Sequence, residues 1–370
     1  MSLRICFVAR NDFESKAGGD TVQYRIYDRT ARLAGLTTLT WFDDRPLPDA
    51  DVYHAFNIDR PLELYPKMRS VVARGRPFVI STIHHPNAWV EKYISIHSPG
   101  GPFARAVSGL PFASRTSIRE PIKEVVRLFM QRRMNHVSEL FPPWRSRIRW
   151  LLREAAKILV LSTEERLWLE RDFGVATRDD RVAWVPNWVE GIERKPTQLE
   201  SLSAFSEAPV VVVGRIETRK NVLRVARLAE ALNRPILFVG RANPNEAHYR
   251  QEFESIVKRG SYVHWIPGVP RDEMGAYYLN ASFLLNASYV EVSPLVDIEA
   301  ISFGCPVVTT SYALHHEILP ACIPTVDPYD SGALSGVLRS RPSRIQPREV
   351  VDAAASQQQL LACYSETTRT

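Results

Sequence analysis

What most constrains this chain is a repeated change of period. Short runs rich in β-branched and aromatic residues each give way to stretches with apolar residues three and four apart. The first pattern reads as a strand and the second as an amphipathic helix. In the first half, strands are expected at Leu3–Ala9, Thr37–Phe42, Asp51–Phe56, Pro77–Ile83 and Lys157–Leu161, with helices at Thr21–Leu33 and Thr163–Phe173. Ser162 supplies a capping hydroxyl to the latter, with the Glu165 carboxylate three residues on. A turn-rich stretch, Trp184–Trp188, leads into a polar segment near Arg194–Glu207, the expected linker. Alternation then restarts: strands Pro209–Val213, Ile236–Val239, Tyr262–Ile266, Ser282–Asn286 and Pro306–Thr310 are interleaved with helices Val222–Leu232, Asn245–Arg259, Arg271–Leu279 and Leu295–Phe303. Such alternation builds right-handed crossovers and parallel sheets covered on both faces. The expectation is an α/β protein of two Rossmann-like domains, 1–190 and 208–345, facing a cleft. A last helical pattern, Arg348–Tyr364 within 346–370, is free to pack on either domain, the amino-terminal one included.

Composition mostly excludes. Hydrophobic residues make up 45% and charged residues 24%, which sets wholesale disorder aside. The apolar run Ile5–Ala9 is too short for a signal-peptide core, and no apolar stretch approaches the ~20 residues that span a bilayer. Cys6, Cys305, Cys322 and Cys363 are few and far apart, which fits reduced thiols in a cytoplasmic protein. There is no Gly-Lys-Ser/Thr phosphate loop and no Gly-x-Gly-x-x-Gly, so ATPase and dehydrogenase readings lack support. His315-His316-Glu317 lacks the spacing of a helical zinc motif, and Asp43-Asp44 and Asp179-Asp180 read as surface loops rather than metal sites.

In open parallel sheets ligands bind beyond the carboxyl ends of strands, and three loops there carry chemistry. Val213-Gly214-Arg215-Ile216-Glu217-Thr218-Arg219-Lys220-Asn221 follows a Val-rich strand. Gly214 permits close backbone approach, while Arg215 and Lys220 offer a forked and a point-charge contact to phosphate. The helix that follows adds its positive end. The second loop, Tyr289 to Ala300, holds Glu291 before a helix and Glu299 inside it. Ser293-Pro294 between them reads as a helix start, the serine capping. In the third, Ala17-Gly18-Gly19-Asp20-Thr21, the glycine pair lets backbone reach a phosphate or sugar, and Asp20 can cap the next helix.

Together the first two loops resemble the signature of retaining GT-B glycosyltransferases of family four, the nucleotide-sugar-dependent group: a Gly-Arg…Lys-Asn loop followed by two glutamates eight residues apart. Ser162-Thr163-x-x-Arg166, Pro186-Asn187, Gly240, Pro267-Gly268-Val269 and the run Glu299-Ala300…Gly304-Cys305-Pro306-Val307-Val308 also fit in order. The resemblance implies a glycosyltransferase, moving sugar from a nucleotide-diphosphate sugar to a glycan or lipid-linked acceptor with retention, in polysaccharide or glycolipid biosynthesis. It implies that Arg215 and Lys220 bind the donor diphosphate and that Glu291 holds donor-sugar hydroxyls and Glu299 the ribose. Val269 would meet the base through its backbone, and Gly19, Gly214, Ser293, Pro294 and Leu295 would line the donor site. Thr82-x-His84 matches a family position near the reacting groups, so His84 rather than His85 is expected there. The family's mechanism is metal-independent and needs no cofactor beyond the co-substrate. A front-face displacement is proposed for it, with the leaving phosphate helping to deprotonate the acceptor. The family's Glu-Gly-Phe-Gly-Leu reads Glu291-Val292-Ser293-Pro294-Leu295 here: both glycines are gone and Pro294 donates no N–H. That departure supports the alternative of a catalytically silent nucleotide- or partner-binding subunit; a sugar-nucleotide epimerase, converting the donor with no acceptor, is a third reading.

Charge singles out one further region. Lys and Arg total 47 against 41 Asp and Glu, a net of +6. Residues 100–153, inside an insertion at about 86–156, hold eleven Arg or Lys against three Glu, a net of +8, so the rest of the chain stands at −2. Two basic amphipathic helices are expected. One carries Ile118, Ile122, Val125, Val126 and Phe129 beside Arg119, Lys123 and Arg127. The other carries Trp144, Ile148, Leu151, Leu152 and Ala155 beside Arg145, Arg147, Arg149 and Arg153. Either they meet an anionic membrane surface or acceptor at the cytoplasmic face, or their apolar stripes pack on the core. Nucleic acid is not expected as a partner, since no recognised module is present.

Overall fold

The computed structural model describes residues 2–11, 18–42, 46–97, 142–192, 202 and 205–368. The chain divides into two units: 1–187 with 353–370, and 188–352.

The first unit is built on six parallel strands: β1 (Arg4–Val8), β2 (Thr37–Trp41), β3 (Val52–Phe56), β4 (Phe78–Ser81), β5 (Lys157–Val160) and β6 (Val182–Trp184). Their spatial order is β2-β1-β3-β4-β5-β6, so the order reverses between β1 and β3. The helices between them are α1 (Gly19–Leu33), α2 (Pro61–Ala73), α3 (Asn87–His97), α4 (Trp144–Glu154) and α5 (Thr163–Phe173). Residues Val52 to Phe56 are buried on both faces, as befits a central parallel strand. The second basic helix, α4, lays Trp144, Ile148, Leu151 and Leu152 into the same core as Leu64 and Met68 of α2 and Leu169 and Phe173 of α5. Its apolar stripe is therefore spent inside the protein. Arg149 Nε donates to Phe173 O at 2.6 Å, and Arg145 to Asp172 O. These two cations cap the carboxyl end of α5, where basic groups complement exposed carbonyls. For this helix the packing alternative holds, and Arg145 and Arg149, half-buried, are engaged with α5. Arg119, Lys123 and Arg127 lie outside the described residues, and so does the helix expected there. Among the described residues no helix is long and apolar enough to cross a membrane.

The second unit repeats the plan with β7 (Val210–Val213), β8 (Ile236–Val239), β9 (Val263–Ile266), β10 (Phe283–Leu285), β11 (Val307–Thr310) and β12 (Thr325–Val326), in the order β12-β11-β10-β7-β8-β9. Its helices are α6 (Val222–Ala231), α7 (Ala247–Arg259), α8 (Met274–Asn280), α9 (Leu295–Ser302) and α10 (Ser331–Arg339). Here the order reverses between β7 and β10. Gly240, after β8, has φ +153, and a Cβ there would stand 2.0 Å from Gly214 O. That close approach of two backbones seats the loop after β7.

The last helix, α11 (Ala353–Thr367), belongs to the first unit, against α1, β4 and β6. Tyr364 Oη lies 2.8 Å from His54 Nδ1, and Ser81 Oγ takes the other ring nitrogen at 2.8 Å. Burial pushes His54 down to about 3, so the ring is neutral. All four cysteines are free, and burial raises the Cys6, Cys305 and Cys363 thiols to about 12.

Candidate active site

A crevice beyond the carboxyl ends of the strands, where strand order reverses, is the usual ligand position in such sheets. In the second unit that point lies between the loops after β7 and β10. They are stitched together: Tyr289 N donates to Arg219 O at 2.9 Å, and Tyr289 Oη to Asn221 Oδ1 at 2.6 Å. Asn221 sits at φ +59, a left-handed conformation that Asn tolerates, and this turns the 3₁₀ segment Thr218–Lys220 into α6. The turn places Lys220 Nζ on Glu291 Oε1, with Arg219 Nη1 3.6 Å from Glu291 Oε2. Burial alone would raise the Glu291 carboxyl, but Lys220 and Arg219 outweigh it and hold the group down at about 2. Glu291 is thus an anion at neutral pH. Arg215 Nε and Arg219 Nη2 share the buried Glu217, at 3.2 Å each. Three cations against two carboxylates leave a net positive loop pair. Arg219 and Glu217 escaped the sequence reading, although their alternation with Arg215 in one loop was a visible signal.

Glu291 is also paired in β-fashion with Ala313, and its N–H donates to Tyr312 O at 2.8 Å. The serine cap expected after it does not form. Helix α9 opens at Leu295 with Pro294 in the cap position, and no side chain caps it. Pro294 and Leu295 are buried and Ser293 half-buried. Proline at the cap offers no side-chain acceptor, so the first-turn N–H groups of α9 have no side-chain cap. Glu299, about one turn inside, is buried: Tyr278 Oη donates to its Oε2 at 2.8 Å, and Arg271 Nη2 lies 2.7 Å from its Oε1. Burial and the Glu299 charge push the Tyr278 hydroxyl well above its ordinary range, which keeps it a donor. Arg271 also reaches Glu190 O at 2.9 Å, and sequence reasoning missed it. Val269 is half-buried in the preceding loop, next to Gly268, whose φ is +116.

In the first unit the order reverses between the loops after β1 and β3. Gly18 is the cap of α1 and Gly19 its first residue, and Arg10 Nε holds Asp20 at 2.7 Å. A Cβ on Gly19 would meet nothing within 4 Å, so the fold does not demand glycine there. His84 departs from expectation. Its side chain is 0% exposed, with Nδ1 2.7 Å from Asp59 Oδ1 and Nε2 2.9 Å from Asp172 Oδ2. Both nitrogens are spent on carboxylates, so the placement of His84 against reacting groups is corrected. Just before it, Ile83 adopts φ +47, a rare conformation for a β-branched residue. The buried Glu165 fixes that turn, accepting Thr82 Oγ1 at 2.6 Å and His84 N at 2.8 Å.

Two parallel α/β units of this strand order define a GT-B fold, the architecture of a broad class of glycosyltransferases. Residues 197–333, within the second unit, match the family model described as Glycosyl transferases group 1. Similar solved structures include a sucrose-phosphate synthase from Thermosynechococcus elongatus (13% identity, covering 99% of this chain and 94% of that one, TM-score 0.65). An α,α-trehalose-phosphate synthase (UDP-forming) from Burkholderia vietnamiensis is another (12%, 99% and 94%, 0.57). A third is the E. coli structure described as trehalose-6-phosphate bound with UDP-2-fluoro glucose (11%, 98% and 96%, 0.60). No curated protein sequence matches the chain.

Proposed function

We propose that the chain transfers a sugar from a nucleoside-diphosphate sugar to a hydroxyl of a glycan or lipid-linked acceptor, with retention at the anomeric carbon. The Lys220–Glu291 pair carries this reading, because it brings a cation and an ionised carboxylate together where strand order reverses. Lys220, with Arg219 and Arg215, takes up charge that develops on the departing diphosphate; preorganised cations are the strongest device for that purpose. Glu291 accepts hydroxyls of the donor sugar. Glu299 accepts the ribose, with one carboxylate oxygen exchanging Arg271 for a ribose hydroxyl. The first turn of α9 adds N–H donors, and the loop at Val269 meets the base through its backbone. Gly19 gives a phosphate or sugar open access to the backbone at the start of α1. The proposed reaction needs no metal or cofactor besides the co-substrate. The UDP-linked names among the similar structures support a uridine nucleotide as the first donor to try.

The test is a panel of nucleotide sugars, scored by thermal shift and then by release of nucleoside diphosphate. A donor that stabilises the wild type, and whose turnover falls in Lys220→Ala and Glu291→Ala, is the expected result. Turnover indifferent to both changes would overturn the assignment. Pro294, which removes an N–H from the loop beside Glu291, favours a second reading: a subunit that binds the nucleotide without transferring sugar. Binding without turnover on any acceptor would select it.

A further inference from the structure

Asp59 stands in the loop after β3, beside the reversal of strand order in the first unit. It serves two consecutive histidines at once. Its Oδ1 meets His84 Nδ1 at 2.7 Å, while its Oδ2 accepts His85 N at 3.0 Å and lies 3.2 Å from His85 Nδ1. The other nitrogen of His84 faces Asp172 Oδ2, which also accepts Asn87 N at 2.8 Å.

The contacts and the charges around them favour one arrangement of protons. An ionised carboxylate only accepts. His84 lies between two carboxylates, an arrangement that favours the imidazolium with both of its nitrogens donating. Burial opposes that charge, and Asp59 and Asp172 overcome it, raising His84 to about 10. The imidazolium in turn holds Asp59 ionised, well below the ordinary carboxylate range despite its burial. An ionised Asp59 then requires a proton on His85 Nδ1. In the neutral His85 ring the lone pair is left on Nε2, because the hydrogen bond on one nitrogen fixes the state of the other. His85 is 27% exposed where His84 is fully enclosed.

We propose that His85, oriented by Asp59 and backed by the fixed charge of His84, presents Nε2 as an acceptor for a substrate hydroxyl at the carboxyl end of the first unit's sheet. The substrate class is a sugar or other polyol, and that part rests on the glycosyl-transfer reading above. His84 is a positioning residue in this arrangement: it touches no substrate and fixes the ionisation of Asp59.

The proton assignment is tested on the full chain labelled with [15N]histidine, in mildly alkaline buffer. Long-range proton–nitrogen spectra are assigned with His84→Gln and His85→Asn. Two protonated nitrogens on His84, and a proton on Nδ1 only of His85, are expected. A neutral His84, or a proton on Nε2 of His85, overturns the proposal. The function of Nε2 is tested with two variants. His85→Asn keeps a donor for Asp59 and removes the Nε2 acceptor, whereas His85→Gln places a carbonyl oxygen near the Nε2 position. Loss of one hydrogen bond predicts a roughly tenfold drop in transfer for His85→Asn, with partial recovery in His85→Gln and UDP affinity unchanged in both. Equal, full activity in both variants overturns the role of Nε2, since a purely structural contact survives in His85→Asn. A wild type that binds no nucleotide overturns the glycosyl-transfer reading and with it the sugar as substrate. The spectra decide the dyad by themselves.

Discussion

The Lys220 ammonium is hydrogen-bonded to the Glu291 carboxylate, and so the loops after β7 and β10 are joined by charge as well as by backbone. The two cations beside Glu291, Lys220 and Arg219, hold its carboxyl ionised despite its burial. Lys220→Ala removes one cation from the proposed diphosphate position and leaves buried Glu291 with Arg219 alone. UDP affinity is expected to fall between roughly ten- and a hundredfold, the scale of one hydrogen bond to a charged group. Glu291→Gln keeps a similar shape without the charge; it retains UDP binding and loses turnover. Calorimetry against UDP, paired with a turnover assay, separates the two.

The same pair, and the buried imidazolium of the first unit, write opposite slopes into the stability curve. Glu291 is depressed from 4.5 to about 2, so its contribution is present above 4.5 and lost as pH falls toward 2. His84 is raised from 6.5 to about 10, so its contribution is complete below 6.5 and lost as pH rises through 10. Urea unfolding across pH is expected to show the acid limb flattened in Glu291→Gln and the alkaline limb flattened in His84→Gln. Unchanged limbs would contradict these ionisation states.

Two glycines provide a paired control. Gly240→Ala forces a Cβ to within 2.0 Å of Gly214 O, a clash with backbone that no rotamer relieves. A loss of about 3 kcal/mol is expected by denaturant unfolding. Gly19→Ala meets no neighbour within 4 Å and is expected to leave stability within about 0.5 kcal/mol. Any fall in turnover there then measures ligand approach to the backbone rather than damage to the fold.

Arg149→Met tests the packing role of α4. Removing the bond to Phe173 O is expected to destabilise the first unit by about 1 kcal/mol while leaving co-sedimentation with anionic vesicles unchanged. Reduced pelleting at an unchanged melting temperature would return Arg149 to a membrane-facing role.

Strand–helix alternation made the two parallel sheets legible, because buried parallel strands such as Val210–Val213 announce themselves as apolar runs. The loops that hold Arg215, Lys220 and Glu291, and the helix start that leads to Glu299, were legible for the same reason, since each follows such a run. What escaped depended on distant partners or on backbone turns. Helix α2 contains Pro66, which masks its period. Arg271 acquires meaning only when Glu299 arrives from another element, and Arg145 and Arg149 only when α5 ends beside them. His84 resembles a ligand-facing residue in the sequence, but Asp59 and Asp172, which take both of its nitrogens, come from other elements that no spacing rule predicts.

The return of α11 to the first unit has a consequence for synthesis. Tyr364 completes the hydrogen bonds of His54 on the central strand β3, and 165 residues, 188–352, separate α11 from the rest of that unit. The amino-terminal sheet is therefore made first and finished last. The second unit has every one of its own strands before the ribosome supplies the helix that closes the first.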